Sequence, residues 1–237
     1  MSSPAATVKA ALEDLLRHRR LHADGPPLRG EDLRPRPLAT GVREVDGLLG
    51  GGLPRGQVSE VHGPASSGRT ALAVSIVART TRSGALAAWV DTADRFDPAG
   101  AAEAGVDLRR LLWLRGGAPE TAGLGRAVSA VGTLLGSGLF EVVVLDLVGQ
   151  GGEARRLPGA TWIRLQRQIE RQPTALVLLG DAHLAHGPSG ASIALRALCA
   201  RWSGAPGPGR LLQGLHVEAR SGRQLSRAAR FELVASS

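Results

Sequence analysis

Eight residues carry the clearest chemistry in this sequence: Gly63-Pro64-Ala65-Ser66-Ser67-Gly68-Arg69-Thr70. Two glycines enclosing four residues, followed by a cation and a hydroxyl, give the spacing of a loop that wraps phosphate. The glycines let backbone amides turn inward as an anion nest, and the first amides of a following helix add to it. Thr70 is placed to ligate Mg²⁺, and position 69 to carry the cation that reaches the outer phosphates. That cation is Arg69 where lysine is expected. A planar guanidinium does not replace a compact ammonium inside a tight loop. Asp146 ends the most apolar stretch of the chain, 142–145, and is placed to hold a magnesium-bound water near Thr70. Gly63, Ser66, Ser67, Gly68, Arg69, Thr70 and Asp146 are therefore the candidate cofactor-binding residues. Thr70 and Asp146 are Mg²⁺ ligands only if nucleotide binds. ATP with Mg²⁺ is the cofactor this implies. A vestigial loop, kept for its fold and holding no cofactor, is the alternative.

Such a loop needs a strand before it and a helix after it. Residues 57–62 (QVSEVH) read as the strand and 70–81 as the helix. Further strands are expected at 85–90, 111–114, 142–145 and 175–179, with helices at 97–104, 123–135 and 161–172. Pro98 suits an early helical position. Short strands apolar on both faces, alternating with helices, predict an α/β fold with a mainly parallel central sheet covered by helices. Residues 191–200 read as one helix, or as a short helix running into a strand. Residues 215–219 and 229–234 read as strands around Ser221-Gly222, an antiparallel extension at the C-terminal end. Ahead of this core domain (39–237), residues 1–38 combine an amphipathic helix at 5–20 with a linker holding four prolines. Val8, Leu12, Leu15 and Leu16 share the apolar side, which suits either a docking arm for a partner or a cap on the domain's own surface.

The 237 residues are 43% hydrophobic, enough for one well-filled core, and carry no apolar run long enough to span a membrane. No signal segment is visible, so a soluble cytoplasmic protein is expected. The single cysteine, Cys199, excludes an intramolecular disulfide scaffold and reads as a small buried hydrophobe. Trp89 and Trp113 are likewise expected in interior strands. The formal charge of +8 suits a nucleic-acid surface. Almost all basic residues being arginine in an Ala/Gly/Pro-rich chain suits a general skew in residue usage equally well. Arg155 and Arg156, with Arg164, Arg167 and Arg171, form a basic stretch whose first two members are candidates for DNA-backbone contact. Asp181, His183 and His186 lie close together in sequence but fall short of a metal site's ligand set.

Thr40-Gly41…Asp46…Gly51-Gly52-Leu53-Pro54-Arg55-Gly56…Glu60…Gly63-Pro64…Ser66-Ser67-Gly68-Arg69-Thr70 resembles the signature of the RecA recombinase family. The run 89–98 (WVDTADRFDP), Gly105-Val106-Asp107 with Leu111-Leu112, the strand 143–146, and the late segments 216–223 and 231–233 extend the resemblance. It implies a RecA-like phosphate-loop core over residues 40–235. The resemblance also places the family's water-activating glutamate on Ala93, its sensor glutamine near Gly180-Asp181, and its DNA-binding loops on shortened segments, 148–157 and 182–189. With the Gly-Arg-Thr loop and short N-terminal helix, the chain is most similar to the ImuA group of RecA-like accessory proteins. That similarity implies a scaffold in damage-induced translesion synthesis with weak or absent ATPase activity. The implied partners are an ImuB-type Y-family polymerase homologue, the error-prone replicative polymerase and, by extension, RecA itself. It also implies association with the nucleoid after damage. An active DNA-dependent ATPase in repair or recombination is the alternative, and an ATPase regulating an unrelated pathway a third.

Overall fold

The computed structural model describes residues 36–116, 123–170, 172–185, 190–205, 207, 209–222 and 227–234. The amphipathic segment with Val8, Leu12, Leu15 and Leu16 lies outside the described residues, as do Arg171, His186 and Arg223.

Eight strands form one sheet: β1 (Val58–His62), β2 (Leu86–Asp91), β3 (Leu111–Arg115), β4 (Phe140–Asp146), β5 (Ala175–Gly180), β6 (Ser192–Ser203), β7 (Leu211–Ser221) and β8 (Ala228–Val234). Their order is β3-β2-β4-β5-β1-β6-β7-β8. The first six are mutually parallel; β7 adds antiparallel to β6, and β8 antiparallel to β7. The expected α/β architecture is thus observed.

The central strands explain why the fold is parallel. In β4, Val142 and Val144 face one core while Val143 and Leu145 face the other, and all four are fully buried. A strand apolar on both faces needs helices above and below, which parallel crossovers supply. One core takes Leu72 and Ile76 from helix α2 (Arg69–Arg82), which follows the short helix α1 (Arg43–Leu49). After α3 (Pro98–Glu103), the other core takes Leu134 and Leu135 from α4 (Leu124–Ser137). Beyond the one-turn α5 (Gly151–Ala154), α6 (Gly159–Ile169) adds Trp162, Leu165 and Ile169 to that same core.

Local chemistry sets the element ends. Asp97 caps α3 by accepting from the Ala99 amide at 3.0 Å, with Pro98 opening the helix. Asp46 of α1 accepts from both the amide (2.7 Å) and the hydroxyl (2.8 Å) of Thr40, pinning the chain entering the domain. Leu38, buried at the same entry, pairs with Leu53 in a single antiparallel bridge.

Three expectations need correcting. Residues 191–200 are neither a helix nor a helix leading into a strand; from Ser192 on they belong to the twelve-residue strand β6. Its start pairs with β1 and its whole length with β7, and this pairing outweighs the helix preference of its Ala, Leu and Arg residues. Cys199 is exposed, because β6 runs past the helical layers into the antiparallel extension. Trp89 is fully buried as expected, but Trp113 is only half-buried, since β3 is an edge strand.

Candidate phosphate-binding site

The phosphate-type loop connects β1 to α2, as strand and helix periodicity require. Gly68 caps α2 in the left-handed region (φ 91°) with no side-chain cap bond, leaving the first amides of the helix facing the loop. A Cβ at Gly68 would lie 2.6 Å from Leu233 Cδ1 and 3.1 Å from Val217 Cγ2, with Leu215 in ordinary contact behind them. A Cβ at Gly63 would lie 2.2 Å from the Leu195 carbonyl oxygen. Both glycines are thus demanded by close approach of β6, β7 and β8. Ser66 holds a positive φ of 58°, a conformation that non-glycine residues keep only when their surroundings enforce it.

Ser67 is buried, and its Oγ lies without a hydrogen-bond partner beside Gly63. An orphaned buried hydroxyl within a loop of turned-in amides suits a phosphate oxygen. Thr70, one residue into α2, is exposed and its hydroxyl is accessible for a metal ion. The backbone and hydroxyls of the loop therefore fit a nucleotide's phosphates.

Arg69 does not project freely from this cradle. Its guanidinium is buried, and Nη1 donates to the Gly180 carbonyl and to Asp181 Oδ1, both at 2.7 Å. Asp181 is held from its other side, its Oδ2 accepting from the Gly149 amide at 2.8 Å. Burial pushes the Asp181 carboxyl upward, but the Arg69 and Gly149 hydrogen bonds and the attraction of Arg69 and Arg95 leave it below the usual carboxylate range.

Asp146 stands at the end of β4, in register with Asp91 on β2 and Leu179 on β5. Burial, reinforced by Asp91, raises its carboxyl to about 6, while the Val148 amide at 3.0 Å and nearby Arg69 and Arg95 act in the opposite direction. Asp91 is committed elsewhere: it accepts from the amides of Ala93 (3.2 Å) and Phe96 (2.8 Å) and so shapes the turn after β2. Asp94 points away, its carboxylate paired with Arg115 through contacts of 2.8 and 2.7 Å. Ala93 offers no acid or base. On the other side of the loop, buried Glu60 accepts from the Leu184 amide at 2.6 Å and pairs with His183, tying the segment after β5 to β1. Burial holds the half-buried His62 below the ordinary histidine value, despite Glu60. Among the described residues, no three His, Cys, Asp or Glu side chains converge as a metal cluster.

Comparison with known proteins decides the family. Residues 31–157, more than half of the chain, match the family model of the RecA N-terminal domain. The chain belongs to the RecA family. The chain is 44% identical to Protein RecA of Chlorobium limicola over 112 residues, covering 47% of this chain and 31% of that protein. Against Protein RecA of Synechococcus sp. WH7803 it is 36% identical over 149 residues, covering 60% and 38%. The chain thus spans about a third of the length of the curated RecA relatives it matches. Among its described residues, no helix is long and apolar enough to cross a membrane.

Within this RecA-family frame, the structure brings Gly63, Ser67, Gly68, Arg69 and Thr70 to the mouth of β1, with Asp146 two strands away. Arg155 and Arg156 are exposed just after α5, on the segment that follows β4. Arg164 and Arg167 lie exposed on α6. Sequence reasoning missed Asp181 as the partner of Arg69. The signal was present: Asp181 follows the apolar run of β5 as Asp146 follows that of β4. The Glu60–His183 pair had no comparable signal, because 123 residues separate its members.

Proposed function

We propose that this RecA-family protein is an accessory scaffold in DNA-damage-induced translesion synthesis, with a degenerate nucleotide site. Its partners in this reading are an ImuB-type Y-family polymerase homologue, an error-prone replicative polymerase and RecA. Residues 1–38 act as the docking arm and residues 39–237 as a RecA-like platform. DNA contact is weak or indirect, through Arg155 and Arg156. The protein is cytoplasmic and joins the nucleoid when DNA is damaged.

One observation carries the reading. The position matching the family's water-activating glutamate is Ala93, and the neighbouring carboxylates are engaged, Asp91 with backbone amides and Asp94 with Arg115. Without a group to position water, phosphoryl transfer loses its general base. Ser67, the loop amides, Thr70 and Asp146 would hold a Mg²⁺–nucleotide, which supplies an anionic ligand that stabilises the fold rather than a turnover cycle. The alternative, a DNA-dependent ATPase, draws its support from Asp146, a buried carboxyl raised to about 6 and therefore poised for proton transfer near neutral pH.

Affinity capture of the tagged full chain from DNA-damaged cells tests the proposal. The expected result is enrichment of a Y-family polymerase homologue and an error-prone replicative polymerase over undamaged and untagged controls. Recovery of neither polymerase from damaged cells that express both contradicts it.

A further inference from the structure

We infer that Asp181 determines which nucleotide the loop accepts: by holding Arg69 against the end of β5, it leaves a cradle for a nucleoside diphosphate and withholds the cation a third phosphate needs. This rests on the degenerate nucleotide site proposed above.

Three observations meet here. First, the cradle itself is intact, with Gly68 capping the fourteen-residue helix α2 in a left-handed conformation and the buried Ser67 hydroxyl unpartnered inside the loop. Second, Arg69 is doubly tethered away from it, to the Gly180 carbonyl and to Asp181, and its buried guanidinium has little freedom to swing out. Gly180 abuts the loop directly, its carbonyl accepting from the Gly63 amide at 3.4 Å. Asp181 therefore stands beside the loop mouth, where it acts as an internal anion in place of a ligand's outer phosphate. Third, the local charge is unfavourable for more anion. Asp91, Asp146 and Asp181 end neighbouring strands or follow them, and Arg69 and Arg95 face them. Arg95 lies over Gly149, where a Cβ would meet its Nη1 at 3.2 Å. Three carboxylates outnumber the two guanidiniums, so the strand ends already carry excess negative charge before a third phosphate arrives. The Gly149 amide secures Asp181 independently of Arg69, so the carboxylate stays in place when a ligand competes for the arginine.

Calorimetric titration of the full chain with ADP and with ATP, each in excess Mg²⁺, is the test. The unmodified protein binds ADP at least as tightly as ATP. Asp181→Asn, which keeps an acceptor for the Gly149 amide, tightens ATP about tenfold, the worth of one released charge-assisted hydrogen bond, and ADP by less than about threefold. Adding Arg69→Gln to Asp181→Asn abolishes the gain. Asp181→Ser, which also releases Arg69, shows the same ATP-selective gain and is an independent check should Asp181→Asn fold poorly. A native preference for ATP, or an ADP-to-ATP ratio unmoved by Asp181→Asn and by Asp181→Ser, overturns the inference. Absence of binding by both the native protein and Asp181→Asn overturns it together with the nucleotide-site reading. Failure to capture polymerases leaves the titration result standing and removes only the partner reading.

Discussion

At the level of single residues, Asp146 links the site to stability. Its carboxyl titrates near 6 in the folded chain against an ordinary value of 3.8, so between these values the folded state holds a proton that the unfolded state has released. Stability therefore falls as pH rises through this window, and the ionised group destabilises the ligand-free fold by on the order of 3 kcal/mol at neutral pH. Asn at this position keeps an acceptor for the Val148 amide and carries no charge. Urea unfolding without Mg²⁺ or nucleotide should show Asp146→Asn more stable than the native protein at pH 7.5, with the difference shrinking towards pH 4. A less stable variant at pH 7.5 would mean that Asp146 is held ionised by an attraction larger than its burial. Asp146 was legible from sequence because a carboxylate ending an apolar strand is a local pattern. The role of Asp181 was not, because it depends on where the Arg69 guanidinium turns.

Elements explain the rest of what was and was not legible. Strands β1, β2, β4 and β5 and helix α2 declare themselves through apolar runs of strand or helix period, bounded by Gly and Asp. Strand β6 does not, because its residues favour a helix in isolation and its strand state comes from pairing with β1 and β7. The same antiparallel extension braces the phosphate loop, since Val217 and Leu233 crowd Gly68. Gly68→Ala should therefore destabilise the domain by roughly 2–4 kcal/mol, combining a left-handed backbone penalty with overpacking. Gly138→Ala is the matched comparison, because Gly138 is also left-handed (φ 66°) but a Cβ there meets nothing within 4 Å. Its loss should be only about 1 kcal/mol. Equal losses by denaturant titration would mean that β7 and β8 do not brace the loop.

For the molecule as a whole, the proposed scaffold joins a RecA-family core to a sequence segment, residues 5–20, of amphipathic pattern. Burying Val8, Leu12, Leu15 and Leu16 on a partner contributes ~1.5–3 kcal/mol for each large side chain fully covered, less the entropy of ordering the arm. Deleting residues 1–25 is expected to abolish polymerase capture while leaving the melting temperature unchanged. Retained capture with a sharply lowered melting temperature would make the segment a cap on its own domain. If, as proposed, the fold serves as a platform without turnover, steady-state phosphate release with Mg²⁺, ATP and single-stranded DNA will reveal it. The expected rate is far below that of an intact RecA-type enzyme, and Ala93→Glu alone does not restore it, because Arg69 remains tied to Asp181. Turnover at ordinary enzyme rates, abolished by Asp146→Asn, would make the protein an ATPase rather than a scaffold.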